Sequence, residues 1–137
     1  MPVFHRSFAI ATQAHDEVID ITERVRRILS ESNVKEGVCS VFTRHATAAI
    51  AVNENADPNI GTDLLRALGK IVPAHDGWLH DRIDNNAAAH IKSAIVGPSE
   101  TIPIERGELA LGTWQNIFLC EFDGPRGDRK VTVSIIS

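Results

Sequence analysis

The stretch Gly112-Thr113-Trp114-Gln115-Asn116-Ile117-Phe118-Leu119-Cys120-Glu121-Phe122-Asp123-Gly124-Pro125-Arg126 decides how the rest of the chain is read. Residues 117–122 form a strand with apolar side chains on both faces, the pattern of a sheet covered on both sides. Glu121 falls inside that run, on the face shared by Ile117 and Leu119. A lone buried carboxylate is costly unless it is paired, hydrogen-bonded or metal-bound, so a partner is expected. Arg126, Arg129 and the histidines are the available groups.

Outward from this strand, residues 3–11 alternate loosely and predict a first strand. Asp16 is placed to cap a helix with an apolar stripe of Val18, Ile21, Val25 and Ile28, while Arg24, Arg27 and Glu31 face water. Residues 38–43 and 48–53 predict two extended runs joined by a turn at Arg44-His45-Ala46-Thr47. Thr62 opens a second helix stopped by Pro73, and Asn86 caps a third that Gly97 and Pro98 close. Residues 74–85 are irregular and polar, and residues 101–136 hold three or four strands. The expectation is an α+β fold, a mixed or antiparallel β-sheet packed with about three helices in one domain, residues 1–137.

The 137 residues suffice for a hydrophobic core without disulfides, and 43% hydrophobic with 23% charged residues is ordinary for a globular domain. A net charge of −4 provides no general attraction to nucleic acid or an anionic membrane surface. Cys39 and Cys120 sit in apolar runs without a Cys-x-x-Cys spacing and read as reduced, buried thiols. With no signal-peptide core and no run long enough to span a bilayer, a cytoplasmic location is expected.

Three histidines stand near element ends: His45 before a turn, His80 in the polar loop, and His90 on the helix face with Ala87, Ile91 and Ala94. Three imidazoles can hold a transition metal and leave a position open, although unrelated roles in core, turn and solvent account for them equally well. Glu54, beside Asn53, is a candidate general base or a partner orienting a metal-bound imidazole, with turn chemistry as the alternative. Gln115 can hold a substrate amide or satisfy loop backbone groups. Glu121 and Arg129 can form a buried bridge. Lys92 and Arg44 can meet a phosphate, although a surface position for Lys92 is the simpler reading. His5, His15 and His75 read as surface residues.

The segments Arg44-His45-Ala46-Thr47-Ala48-Ala49-Ile50, Asn53-Glu54-Asn55-Ala56-Asp57-Pro58, Asn86-Ala87-Ala88-Ala89-His90-Ile91-Lys92-Ser93, Ile102-Pro103-Ile104 and Leu111-Gly112-Thr113-Trp114-Gln115 occur in that order. Together they resemble the YjbQ-like family, to which secondary thiamine-phosphate synthase activity is ascribed. The resemblance implies a homotrimer and a cleft in which His45, His80 and His90 hold a divalent metal, zinc by donor type, with His75 the alternative to His80. The residues themselves offer Glu54, Glu121 and Gln115 as catalytic candidates for a small phosphorylated substrate, with neither nucleic acid nor membrane as a partner. Arg44, Thr47, Asn53, Lys92 and Arg129 are then the substrate contacts. Ala46 departs from the hydroxyl residue that members often carry there.

The implied reaction joins a pyrimidine-methyl pyrophosphate to a thiazole phosphate and releases pyrophosphate. Pyrophosphate departure calls for Mg²⁺ or basic groups, whereas three imidazoles suit zinc. A metal-assisted hydrolase or lyase, or a non-catalytic metal- or ligand-binding trimer, are the alternatives.

Overall fold

A computed structural model describes residues 2–137. The chain forms β1 (Val3–Ile10), β2 (Glu17–Asp20), α1 (Thr22–Ser32), β3 (Gly37–Thr43), β4 (Ala48–Asn53) and α2 (Asn59–Ile71). It continues through a 3-10 turn at Leu79–Arg82 to α3 (Ala87–Val96), β5 (Ser99–Glu105), β6 (Glu108–Leu109), β7 (Asn116–Glu121) and β8 (Arg129–Ile136). All strand pairs are antiparallel. They make a five-stranded sheet, β1-β8-β3-β5-β6, and a three-stranded sheet, β2-β7-β4.

The central strand β7 behaves as its composition predicts. Ile117 and Leu119 enter a core shared with Val133 and Ile135 of β8 and with Val25 and Leu29 of α1. Phe118, Cys120 and the following Phe122 enter a second core with Leu68 of α2 and Ala89 of α3. The three-stranded sheet is thus the middle layer, between the larger sheet and the α2–α3 pair. Every residue from 117 to 122 is buried, which no half-solvated strand allows.

The first helix begins later than the sequence suggests. Val18 continues the helical stripe, but it lies in β2, opposite Cys120 of β7. Pairing with the buried sheet outweighs local helical periodicity here. Asp20, not Asp16, serves the helix start, its Oδ1 accepting from the Thr22 N–H at 2.9 Å and the Thr22 hydroxyl at 2.6 Å. α2 starts before Thr62: Asp57 Oδ1 accepts the Asn59 N–H at 3.0 Å. A Cβ on Gly61 would sit 3.3 Å from Val18 Cβ, so the first turn of α2 lies directly over β2. α3 has the predicted ends, closing at Gly97 with φ 98°.

Three connections cross between the two sheets at one rim. They are residues 11–16 between β1 and β2, 44–47 between β3 and β4, and 122–128 between β7 and β8. The register places Glu17, Ala48 and Glu121 side by side at that rim, with Asn53 and Asn116 at the opposite end of the middle sheet. No helix among the described residues is long and apolar enough to cross a membrane.

Candidate functional site

The crossover rim gathers most of the buried polar side chains. Arg129 reaches across from the start of β8, its Nε donating to Glu121 Oε1 at 2.9 Å and its Nη2 to Oε2. Nη2 also donates to Thr47 Oγ1 at 2.8 Å, and the Thr12 hydroxyl donates to Glu121 Oε1 at 2.7 Å. The Asp123 N–H fills the remaining side of Oε2 at 3.0 Å. One residue from each crossing connection thereby joins the ion pair, Thr12 and Asp123 at the carboxylate and Thr47 at the guanidinium. Burial would raise the Glu121 carboxyl, but the hydrogen bonds from Arg129, Asp123 N–H and Thr12 outweigh it and hold it below the usual glutamate value. The bridge weighed from sequence is therefore formed, and both carboxylate oxygens are engaged.

The rim then extends outward toward α3. Asp123 accepts from Asn86 Nδ2 at 2.9 Å and from Arg126 Nη2 at 2.8 Å. Burial opposes ionisation of Asp123, yet the Asn86 bond and the Arg126 charge leave its carboxyl lower than usual. Asp81, in the 3-10 turn, accepts the Ala87 N–H at 3.0 Å and caps α3 in place of the Asn86 side chain. Lys92 is buried, contrary to its expected surface position, and its Nζ lies 3.0 Å from Asp16 Oδ2 and 5.9 Å from the centre of the Phe122 ring. The buried face of α3 is Ala87, Ala89, Lys92 and Ser93. Ala94 is exposed and His90 half-buried, so the predicted face is rotated. An alanine-rich helix carries too little amphipathic contrast to mark its own inner face.

His80 and His90 come together, ring centres 4.8 Å apart at 83°. His80 Nε2 is shut off from solvent with no hydrogen-bond partner, the nearest acid being Asp84 Oδ2 at 3.9 Å. Beside the N-terminal end of α3 is a cavity of about 160 Å³ lined by His15, His75, Asp81 and Asn86. His45 is placed differently. Its Nε2 accepts the Lys130 N–H at 2.9 Å, which leaves the ring proton on Nδ1. Burial and then the Arg129 charge lower its pKa, favouring the neutral ring. Among the described residues, no three His, Cys, Asp or Glu side chains converge in a metal-binding arrangement.

The remaining predicted residues lie elsewhere. Glu54 Oε2 accepts the Asp57 N–H at 3.2 Å, and Asn53 Oδ1 accepts the Glu54 N–H at 2.7 Å, both ordinary turn contacts. Gln115 Oε1 accepts the Gly112 N–H at 2.8 Å within its own loop. Asn53, Glu54 and Gln115 belong to the far end of the middle sheet, about 17 Å of strand from Glu121. Arg44 faces an open groove on the outer side of the larger sheet with His5, Ser7 and Phe42. Thr12, Asp16, Asp81, Asn86 and Asp123 build the rim but carried no functional reading in sequence, and Arg126, a candidate partner for Glu121, pairs with Asp123 instead. Adjacent His15-Asp16 and Asp123-Gly124-Pro125-Arg126 were the available signals, and both also read as turns.

An antiparallel α+β domain with buried charge at its crossovers and a paired-histidine edge defines the class. The chain belongs to the YjbQ/UPF0047 family, whose model, described as UPF0047 protein YjbQ-like, matches residues 6–137. It is 43% identical over 124 residues to the UPF0047 protein YugU of Bacillus subtilis, covering 88% of this chain and 91% of that protein. A YbjQ-like protein of unknown function from Sulfolobus solfataricus superimposes with a TM-score of 0.95 at 38% identity, covering 98% of this chain and 96% of that one. A Clostridium acetobutylicum member of the family gives 0.92 at 46% identity, with 96% and 99% covered.

Proposed function

We propose that this chain is a metal-dependent enzyme acting on a small, phosphorylated molecule, with His80 and His90 as protein ligands of a divalent ion. The observation that carries this reading is His80 Nε2, buried beside the His90 ring with no partner. A buried ring nitrogen left unsatisfied costs roughly 1–3 kcal/mol, and an ion or donor at that position relieves it. Two imidazoles are fewer than the three protein ligands of catalytic zinc sites. His45 does not supply the third in this arrangement, since its Nε2 lone pair is taken by Lys130 and Nδ1 bears the proton. The other positions fall to water, to substrate oxygen, or to a neighbouring copy in the homotrimer that the resemblance implies. When bound, the ion supplies Lewis-acid polarisation of a substrate oxygen.

The thiamine-phosphate synthase reading is the finer proposal, supported by the family resemblance of the segments around His45, His90 and Gln115. Release of pyrophosphate needs positive charge. At this rim Lys92 faces Asp16, Arg126 faces Asp123 and Arg129 faces Glu121, so these cations are already balanced. The residues therefore favour a metal-assisted hydrolase or lyase over the synthase, unless Mg²⁺ accompanies the substrate.

Elemental analysis of untagged protein, with His80→Ala and His90→Ala beside it, tests the proposal. About one zinc-type ion per chain, lost in both variants, is expected. Equal metal content in the variants, or none in the parent, would sink it. Assays with the pyrimidine pyrophosphate and thiazole phosphate pair, and with simple phosphate esters, then separate the two reactions.

A further inference from the structure

The basic residues of the crossover rim are paired, but another group of arginines is not. Arg24 and Arg27 lie one turn apart on the outer face of α1, and Arg6 lies on β1, the edge strand of the larger sheet. With Phe8 and Glu31 they line one cavity of about 200 Å³. None of the three arginines makes a salt bridge among the described residues. This holds in a chain with 18 acidic residues against 14 lysines and arginines. Three guanidinium groups against the single carboxylate of Glu31 give this exposed cavity an excess of positive charge, which attracts an anion.

Two of these groups are also held in place. The Arg24 guanidinium lies over the Phe8 ring, its carbon 4.5 Å from the ring centre, and Arg6 lies over Phe4 at 4.2 Å. Stacking covers a face of each guanidinium and leaves its N–H edges available. Arg6 is held further by a 2.9 Å bond from Nη1 to its neighbour's carbonyl, His5 O. Fixed, planar donor edges suit the tetrahedral oxygens of a phosphate group, which can be bound by more than one fork at once. Val25, Ile28 and Leu29 anchor the other side of α1 in the core, so the platform under Arg24 and Arg27 is rigid.

We infer that the cavity between α1 and β1 is a phosphate-group site, with Arg24, Arg27 and Arg6 as donors and Glu31 as a weakening neighbour. It is separate from the His80–His90 proposal and does not depend on it. The ligand is inorganic phosphate or the phosphoryl group of a small phosphomonoester.

The test is isothermal calorimetry on the full chain at about 0.15 M ionic strength, where diffuse attraction is largely screened. Inorganic phosphate, pyrophosphate and methyl phosphate serve as probes, the last distinguishing a free phosphate site from a phosphoester site. Saturable binding of at least one probe is expected, weakened about tenfold or more in Arg24→Gln/Arg27→Gln and strengthened in Glu31→Gln. Arg66→Gln/Arg82→Gln, with the same loss of charge elsewhere, should bind as the parent does. All of these positions are exposed, and a thermal melt confirms that each variant is folded. Absence of saturable binding overturns the site, as does an equal loss in the Arg66/Arg82 control.

Discussion

Arg129 and Glu121 meet in two parallel hydrogen bonds inside the protein, the carboxylate fully buried and the guanidinium nearly so. They close the gap between the two sheets where three connections cross. Removing either partner strands the other charge. Glu121→Leu or Arg129→Met alone should cost about 3–5 kcal/mol, and the double change markedly less than the sum. Urea unfolding of the three variants measures this directly.

The same carboxylate predicts an acid limit. The Glu121 and Asp123 carboxyls both titrate lower in the folded chain than in the unfolded one. The unfolded chain therefore binds more protons as the pH drops. Their stabilisation is complete above the ordinary carboxylate range and is lost as the pH falls through their folded-state values. Urea midpoints should hold from neutrality down to the ordinary carboxylate range and decline below it, with a shallower decline in the Glu121→Leu/Arg129→Met protein. Parallel curves for the two proteins would remove Glu121 from the explanation.

Gly124 marks the closest approach at the rim. A Cβ there would lie 2.0 Å from the Ala14 carbonyl oxygen and 2.9 Å from Glu121 Cγ. The Gly124 N–H also donates to His15 O at 2.9 Å, so the loops cannot simply move apart. Gly124→Ala should destabilise by about 1–3 kcal/mol or more, visible as a lowered melting temperature. A melt matching the parent's would show that the two loops are not locked.

The cysteines should be chemically silent. Burial pushes the Cys39 and Cys120 thiols up to about 12, so neither forms thiolate at neutral pH. A chromogenic disulfide reagent should find no thiol in the native protein and both after denaturation. Rapid native labelling would mean that one of the two cores opens readily.

Legibility varied with the kind of signal. The run from Ile117 to Phe122 announced a doubly covered strand because no polar residue interrupts either face except Glu121. Glu121 in turn announced a partner, and Arg129 was among the few residues able to answer it. Val18 misled because its spacing to Ile21 and Val25 satisfies helix periodicity, while the strand partner that claims it, Cys120, is remote in sequence. Lys92 misled because burial of a lysine depends on an acid supplied by another element, here Asp16. Glu54 follows the C-terminal end of one apolar strand and Glu121 stands at the C-terminal end of another. Only the register of β4 against β7 sends them to opposite ends of the sheet.

The position of β7 also governs when the molecule can come into being. Its neighbours β2 and β4 are made early, yet Ile19 and Ile50 both pair with Leu119. β1 likewise waits for β8, the final strand. As the chain leaves the ribosome, Val18, Ile50 and Leu68 emerge with the strand that will separate their two cores still unmade. Such long-range closure is slow and exposes apolar surface meanwhile. A nascent chain halted before residue 116 should therefore remain a chaperone client, and its release should coincide with the arrival of the central strand.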